Sequence, residues 1–488
     1  MMSEQVPTTP TGSASGSIAA LSLRVKPRRV MGFADLLMFY VVTGISLRWI
    51  ATAASAGPGS IAVWIFAWAC FYVPLALSVI ELSARYPQQG GMYIWSKRAF
   101  GDFSGYMTGW TYWTSNLSYY PSVFYFTASN ALFVFGPRAI RFSNSKAFYI
   151  SSALGLLALI TILNVVGLHR GKWLHNIGSI GMWMPVLILA VMGVFVWRQF
   201  GQATSFAPQN LVPQLHLKNM LIWATITFAI CGCETGSLMG EEIKDPQRNL
   251  PRALLLAGLI VTLCYVGGTI AILLALPSGE VSNLQGIMQA VVKAAEKLGW
   301  LNLVPLTAAL IAVGNVGAAS GFLAASARVP FAAGIDRFLP SAFGKLHPRW
   351  GTPHVSLIVQ TAVAAVMIFL GQAGTNVKGA YDVMVSISII GVFIPYLYVF
   401  ASMFKVQNEP VPAGGFRVPG GRPVARVVAC VGFLTTLLTI IFSVIPSPDE
   451  SNQALAIVKI VGLTVLLLGI GWLLFVLGNR RRRNAVSC

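Results

Sequence analysis

Two charged residues, Glu234 and Arg48, lie inside long apolar stretches of this 488-residue sequence. Glu234 belongs to the run CGCETG, two residues after Gly232, and Arg48 follows Gly44 in the run VVTGISLRW. A charge inside an apolar helix faces a polar cavity or a partner, because exposure to hydrocarbon is costly. Glycine beside such a charge lets the helix open and present backbone carbonyl and N–H groups to a bound solute. The two runs therefore predict a solute site between two interrupted helices, one in each half of the chain.

Several roles are open for these two charges. Glu234 is interpreted as a titrating switch that couples or gates the site, as a direct contact of the solute, or as half of a buried ion pair with Arg48. Arg48 is interpreted either as a ligand for an extra carboxylate of the solute or as the structural partner of an acid such as Glu234. A guanidinium suits the first role because it binds a carboxylate with two parallel hydrogen bonds.

The composition predicts the elements that must position these residues. With 56% hydrophobic and 10% charged residues, the chain has too little polar surface for a soluble globule, so it is predicted to be an integral membrane protein. About twelve apolar segments are long enough to cross roughly 30 Å of hydrocarbon. Their predicted bounds are 33–56, 61–84, 103–135, 147–167, 173–197, 219–240, 252–276, 302–328, 353–372, 380–404, 424–446 and 453–477.

The basic residues predict the orientation in the cell membrane. The net charge of +19 would suit a nucleic-acid partner if the Lys and Arg shared one face, but they occupy short loops that alternate along the chain. The predicted surroundings are therefore the lipid bilayer, with no nucleic acid. Most of the 34 Lys and Arg lie on one side if the Ser- and Gly-rich tail 1–30, the loop 405–423 and the basic tail 478–488 are cytoplasmic. The positive-inside rule then places both termini in the cytoplasm, with 1–30 disordered.

The predicted spans divide into two groups of five with opposite orientation. Residues 31–200 hold spans 1 to 5 and residues 215–404 hold spans 6 to 10, and an interrupted helix opens each group. This arrangement is typical of inverted-repeat transporters. Residues 424–477 supply two further spans. The external connection 277–301 is predicted to contain a short surface helix, because its apolar residues recur at helical spacing.

Three stretches, taken in order with the span layout, resemble one known family. They are ELSARYPQQGGMYIWSKRAFGDFSGYMTGW at 81–110, FAICGCETGSLMGEEIKDPQRNLPRA at 228–253 and SARVPFAAGIDRFLPSAFGKLHPRWGTP at 326–353. They resemble the amino acid, polyamine and organocation (APC) permeases, in the amino acid transporter branch. The resemblance implies an all-helical, leucine-transporter-like fold with a 5+5 inverted repeat and two C-terminal helices. It implies secondary transport of amino acids by alternating access, and leaves open a permease for polyamines or other organic amines, or an obligatory amino acid exchanger.

The ends of a broken helix suit a zwitterionic amino acid. N–H groups at the start of a helix carry the positive end of its dipole, so those around Ile45–Leu47 are predicted to bind the substrate carboxylate. Free carbonyls near Val42, Thr43, Phe228 and Ile230 are predicted to bind the ammonium group.

Side chains complete the predicted substrate site. The resemblance implies that Phe228 covers the substrate and that Asn116, Tyr120 and Phe322 line the pocket. The predicted substrate-binding residues are Val42, Thr43, Gly44, Ile45, Ser46, Arg48, Asn116, Tyr120, Phe228, Ile230, Gly232 and Phe322. Glu234 and Arg48 are the candidates for gating or coupling.

The coupling ion is open between H⁺ and Na⁺. Some proton-coupled members of the family carry a Lys in the fifth span, where this chain has Met182, and Ser320 offers one hydroxyl for a sodium site. Charged residues on cytoplasmic loops are predicted to form an inner gate of ion pairs. These residues are Arg85, Glu241, Glu242, Lys244, Asp245 and Arg337.

No cofactor, metal centre or enzymatic activity is predicted. Cys231 and Cys233 are close in sequence but lack an accompanying His, and the five His lie at loops or span ends. An ion channel is disfavoured because a pair of broken helices suits occlusion of a solute better than an open pore.

Overall fold

The helices account for most of the described chain. The computed structural model describes residues 32–86, 90–166, 168–214, 216–235, 237, 243–327, 338–412, 414–446, 450 and 452–486. The α-helices are α1 Phe33–Gly44, α2 Leu47–Ser55, α3 Ser60–Ala67, α4 Val73–Arg85, α5 Met92–Phe100, α6 Asp102–Ala131, α7 Pro137–Ile140, α8 Lys146–Val166, α9 Leu168–Phe200, α10 Leu217–Ala229, α11 Pro246–Ala275, α12 Gly286–Leu298, α13 Leu303–Ser326, α14 His354–Gln372, α15 Val377–Lys405, α16 Gly421–Val444 and α17 Gln453–Val486. A π-helical turn, Trp68–Tyr72, joins α3 to α4.

The membrane-spanning helices follow the predicted layout. Within the described ranges, nine helical segments are long and apolar enough to cross a membrane, and they correspond to every predicted span except the first, third and sixth. The first span is divided into α1 and α2, and the sixth begins as α10. The third is the 30-residue α6, which is rich in Ser, Thr and Tyr. The predicted all-helical, polytopic fold is therefore confirmed.

Both predicted helix interruptions are confirmed. Helix α1 ends at Gly44, and Ile45 and Ser46 are extended before α2 begins. Helix α10 ends at Ala229, and Gly232 has φ 109°, a conformation that side chains rarely adopt. A short 3₁₀ turn at 233–235 follows. Each break leaves backbone groups that the helix itself does not pair.

Two helix pairs form the scaffold around the breaks. The most extensive contacts are those of α9 with α13 and of α6 with α15. In span numbers, α9 and α13 are spans 5 and 8, and α6 and α15 are spans 3 and 10. In a repeat of five spans, span 5 corresponds to span 10 and span 3 corresponds to span 8, so the two pairs are equivalent. A repeat of five spans produces this relation. The bounds 31–200 and 215–404 stay a prediction.

Glycines allow α9 and α13 to pack closely. A methyl group at Gly181 would lie 2.5 Å from the Leu310 carbonyl oxygen and 2.6 Å from the Gly314 backbone nitrogen. Gly178 faces Gly317 in the same way, with 2.9 Å to its Cα. Small residues at such a crossing let two membrane helices approach until their backbones touch. This contact fixes the side of the site that α13 forms.

The connections differ in detail from the sequence prediction. The external helix predicted within 277–301 is present as α12, and its first residue, Gly286, packs against Ala51 of α2. The loop 405–423 begins with a 3₁₀ turn, Val406–Asn408, and ends where α16 starts. The predicted basic tail 478–488 is not a separate segment, since α17 continues through it as far as Val486. The predicted tail 1–30 lies outside the described residues.

Candidate functional site

A cavity of about 140 Å³ lies where the two interrupted helices meet. A single water needs only about 10–15 Å³ of such volume, so the space suits a small solute. Helices α6, α9, α13 and α15 also contribute to its wall, through residues such as Tyr119, Met182, Asn315 and Ser388. Ten of the predicted substrate and coupling residues line it: Thr43, Gly44, Ile45, Ser46, Arg48, Asn116, Phe228, Gly232, Glu234 and Phe322.

Two predicted substrate-binding residues with described side chains, Tyr120 and Ile230, are not part of this wall. Tyr120 is fully buried, and its hydroxyl forms a 2.9 Å hydrogen bond with Ser326; its neighbour Tyr119 lines the cavity instead. Ile230 follows the last residue of α10 and is 2% exposed. The backbone of Val42 lies in the last turn of α1, and its side chain lies outside the described part of the structure. The shift from Tyr120 to Tyr119 reflects one residue of helical register, which rotates a side chain by about 100°.

Tyr265 of α11 connects the two breaks. Its hydroxyl accepts a hydrogen bond from the Ser46 N–H at 2.9 Å. The same hydroxyl lies 2.8 Å from the Gly44 carbonyl oxygen and 3.2 Å from the Ala229 carbonyl oxygen, and its one proton is donated to one of them at a time. Its ring stacks on Trp64, with centroids 4.5 Å apart. One buried side chain thus joins α1, α2 and α10.

This contact corrects the expected role of the first break. The N–H groups around Ile45–Leu47 were predicted to be free for a substrate carboxylate, but the Ser46 N–H already donates to Tyr265. The Gly44 carbonyl likewise already accepts a hydrogen bond. Some of the backbone N–H and carbonyl groups that the break leaves unpaired are therefore already hydrogen-bonded within the protein, because the Tyr265 hydroxyl reaches them from α11.

Glu234 is buried with neutral hydrogen-bond donors. Its side chain accepts from the Tyr112 hydroxyl at 3.2 Å through Oε1 and from the Gly232 N–H at 3.1 Å through Oε2. The residue is 2% exposed and lines the cavity. Both oxygens are thus bound by the protein while one edge of the residue faces the solute space.

Arg48 is buried against aromatic rings and hydroxyl groups. Its Nε donates to Ser46 Oγ at 3.3 Å and its Nη1 to Ser122 Oγ at 2.9 Å. Its guanidinium carbon lies 4.4 Å from the Trp49 ring centroid and 5.0 Å from that of Tyr119. Across the described part of the chain, the ion pairs do not include Arg48. The predicted Arg48–Glu234 ion pair is therefore not formed.

Aromatic side chains form much of the remaining wall. Phe228 packs edge-to-face on Trp49 with ring centroids 5.3 Å apart. Phe322 packs on Tyr119, also at 5.3 Å. Asn116 donates its amide to the Tyr112 carbonyl one turn earlier, at 3.0 Å. These contacts hold the rings in place around the polar groups.

The two residues considered for ion coupling occupy different surroundings. Met182 lines the cavity, so the position of the expected Lys carries an apolar side chain there. Ser320 accepts a hydrogen bond from the Asn164 amide at 3.0 Å and is 2% exposed. Its hydroxyl already has a partner on α8, and a sodium site at this position stays a prediction.

Arg85 forms an ion pair that the sequence analysis did not predict. It binds Glu81, one turn earlier on α4, with 2.6 Å between Nη2 and Oε1 and both side chains almost fully buried. It also donates to the carbonyls of Val406 and Glu409. Glu81 accepts in turn from the Val418 N–H at 2.8 Å. Arg85 therefore ties α4 to the loop between α15 and α16.

Of the other predicted gate residues, the two that the structure describes, Lys244 and Asp245, are not joined to this network. Lys244 and Asp245 are exposed, and the Asp245 carbonyl accepts from backbone N–H groups in the first turn of α11. Glu241, Glu242 and Arg337 lie outside the described residues. Beside the Arg85 network, Tyr86 donates to Glu409 Oε2 at 2.6 Å, and burial together with that carboxylate raises the pKa of the Tyr86 hydroxyl.

Sequence reasoning missed several residues that shape the site. Tyr112, Tyr119 and Trp49 line the cavity, and Tyr265 braces it. Trp49 carried a signal, since it follows the charged Arg48 directly. The three tyrosines carried none, because nothing in the sequence distinguishes them among its 14 tyrosines and their partner groups come from distant helices.

Comparisons with known proteins agree on one family. The family model described as amino acid permease matches residues 31–467. An uncharacterized transporter of Legionella pneumophila is 27% identical over 454 residues, 91% of this chain and 96% of the relative. A serine/threonine exchanger of Bacillus subtilis is 26% identical over 75% of this chain and 80% of its own length. A probable agmatine/putrescine antiporter of Lactococcus lactis is 20% identical, with coverage of 81% and 84%.

Proposed function

The chain belongs to the amino acid permease family, and from that premise we propose that it moves amino acids across the cytoplasmic membrane by alternating access. It is a multi-pass membrane transporter for small molecules of the amino acid or amine class rather than an enzyme. The proposal concerns the finer points, which are the amino acid substrate, the mechanism and the orientation.

The observation that carries the proposal is the position of the cavity. It lies between the breaks of α1–α2 and of α10, and both breaks contribute backbone and side chains to its wall. A helix that is broken at the solute can open toward one side of the membrane and then the other with little change in its intact half. The cavity also combines polar groups for a charged solute with aromatic rings that cover it.

Glu234 supports a coupling or gating role. It is the acid of the cavity wall, and its carboxylate is held by Tyr112 and the Gly232 N–H, both close to the second break. A change in its protonation alters the hydrogen bonds at the point where the helix bends. Proton coupling is therefore proposed ahead of sodium coupling, for which Ser320 is the candidate.

The names of two relatives suggest alternatives for the transport mode and for the substrate. The Bacillus subtilis relative is named a serine/threonine exchanger, which favours obligatory exchange of amino acids. The Lactococcus lactis relative is named a probable agmatine/putrescine antiporter, which favours an organic amine as substrate. Exchange predicts that transport needs substrate on both sides of the membrane. An amine substrate predicts that compounds without a carboxylate compete.

The orientation is proposed from the distribution of charge. With both termini in the cytoplasm, the network of Arg85, Glu81 and Glu409 lies on the cytoplasmic side and α12 lies outside. Residues 31–200 and 215–404 form the two inverted repeats in this proposal, and residues 424–477 the two appended spans.

Uptake into proteoliposomes tests the function. Labelled amino acids of each charge class, and putrescine, are offered with and without a proton gradient, sodium or internal substrate. Saturable uptake of one amino acid class supports the proposal, and the dependence on each gradient assigns the coupling. Uptake of putrescine alone would move the function to amines, and silence across all compounds would overturn it.

A further inference from the structure

We propose that the substrate is an acidic amino acid whose second carboxylate binds the Arg48 guanidinium. The inference rests on the transport function proposed above and names the substrate class for the same cavity. It follows from the contrast between Arg48 and Glu234, the two charged side chains among the described residues of the cavity wall.

The guanidinium of Arg48 has hydrogen-bond capacity that the protein leaves unused. An arginine carries five N–H donors. Within the described ranges, its hydrogen bonds are the two to Ser46 Oγ and Ser122 Oγ, both uncharged acceptors. The residue is 1% exposed and lines the cavity. The remaining donors are therefore available to a solute in that space.

The aromatic contacts fix the guanidinium without neutralising it. Trp49 and Tyr119 lie 4.4 Å and 5.0 Å from its central carbon, and both rings also line the cavity. Such cation–π contacts stabilise the charge and hold its plane, but a ring has no net charge. The N–H edge of a guanidinium held in this way is left for an acceptor in its own plane.

Glu234 differs because its carboxylate already has donors. Tyr112 binds one of its oxygens and the Gly232 N–H binds the other. Both oxygens of Glu234 thus have a donor, whereas Arg48 keeps N–H groups that have no acceptor among the described residues. An unpaired buried charge is costly, and removing one partner of a buried pair leaves such a charge behind. A ligand that brings a carboxylate removes this cost when it binds.

The geometry selects among the candidate substrates. A diamine such as putrescine would bring further positive charge next to Arg48, and like charges in a site of low dielectric repel strongly. A neutral amino acid offers one carboxylate, which the breaks and Arg48 would have to share. An amino acid with an acidic side chain offers a carboxylate for Arg48 and keeps its α-ammonium for the carbonyls at the breaks.

The first test compares acids with their amides on the wild-type protein. Unlabelled L-glutamate and L-aspartate are set against L-glutamine and L-asparagine as competitors of labelled substrate in proteoliposomes, with succinate and putrescine as further arms. Each acid is expected to compete about 10- to 100-fold better than its amide, the range that a hydrogen bond between charged groups contributes. Equal competition by the amides, or preferred binding of putrescine, would overturn the inference. Succinate lacks the α-ammonium group of glutamate and aspartate. If it competed as strongly as they do, the site would not recognise that ammonium group.

The second test assigns the selectivity to Arg48. In Arg48→Gln, the preference for acid over amide is expected to disappear, and in Arg48→Lys it is expected to weaken because an ammonium lacks the planar fork. The matched control is Arg426→Gln. The Arg426 guanidinium carbon also lies over an aromatic ring, 5.5 Å from the centroid of Phe404, but Arg426 does not line the cavity. Competition by acid and amide is measured on protein that elutes as one species in detergent, so a folding defect is separated from a change in selectivity.

The outcomes separate the two proposals. Wild-type transport of neutral or basic amino acids, with an acid-to-amide ratio that Arg48→Lys leaves unchanged, would refute this inference while the transport function stands. Absence of uptake for every amino acid would refute the transport function itself.

Discussion

The hydroxyl of Tyr265 leads to a specific prediction, because it hydrogen-bonds to both interrupted helices. Replacing Tyr265 by Phe removes the acceptor of the Ser46 N–H and the donor to Gly44 or Ala229, while the ring can keep its stacking on Trp64. The change therefore isolates the hydrogen bonds from the packing.

The magnitude follows from counting those bonds. A hydroxyl has one proton, so it accepts from Ser46 and donates to one of the two carbonyls at a time. Two hydrogen bonds at about 0.5–1.5 kcal/mol each give about 1–3 kcal/mol. If substrate binds only when both breaks are held together, apparent affinity falls with the population of that state, by about 5- to 150-fold.

The assay is equilibrium binding of labelled substrate to purified protein in detergent. The control is Tyr106→Phe, which removes a buried hydroxyl that has no hydrogen-bond partner among the described residues and lies in a separate aromatic cluster with Phe338 and Phe475. Affinity of Tyr265→Phe within twofold of the control would refute the view that the bridge assembles the site.

Three further changes test other parts of the structure. Glu234→Gln keeps the shape of the side chain and removes its charge, so the pH profile of uptake is expected to flatten with expression intact; an unchanged profile would exclude Glu234 as the coupling group. Gly232→Ala forces a side chain into φ 109° at a cost of about 1–3 kcal/mol, so uptake should fall, whereas Gly155→Ala, at an exposed helical position with open space around it, should transport normally. Glu81→Gln leaves Arg85 buried without its carboxylate, and the thermal unfolding midpoint should drop as expected for a loss of about 3–5 kcal/mol; wild-type unfolding would mean that the pair does not stabilise the fold.

The sequence was sufficient for the elements whose signals are local. Apolar segments of membrane length predicted the spans, and glycine beside a charge predicted both breaks, at Gly44 and near Gly232. These signals are local because the bilayer sets the length of a helix and glycine sets where it can open. The same reasoning brought Arg48 and Glu234 to one cavity.

Contacts between distant helices were not predictable in the same way. The choice between Tyr119 and Tyr120 depends on the rotation of α6 about its axis, which neighbouring helices decide. The partners of Arg48 and Arg85 depend on which groups come within 4 Å after packing, and both differ from the charge pairs that were expected. Complementary charges in a sequence predict an attraction, but neutral hydroxyls, rings and carbonyls compete for the same positions.

Counterflow tests the central claim most directly. Proteoliposomes loaded with a high concentration of unlabelled amino acid are diluted into a trace of the same labelled compound. A carrier with one site that faces each side in turn accumulates label transiently above its equilibrium level, and the effect saturates with substrate. Flux that rises linearly with concentration and never overshoots would contradict alternating access at this cavity.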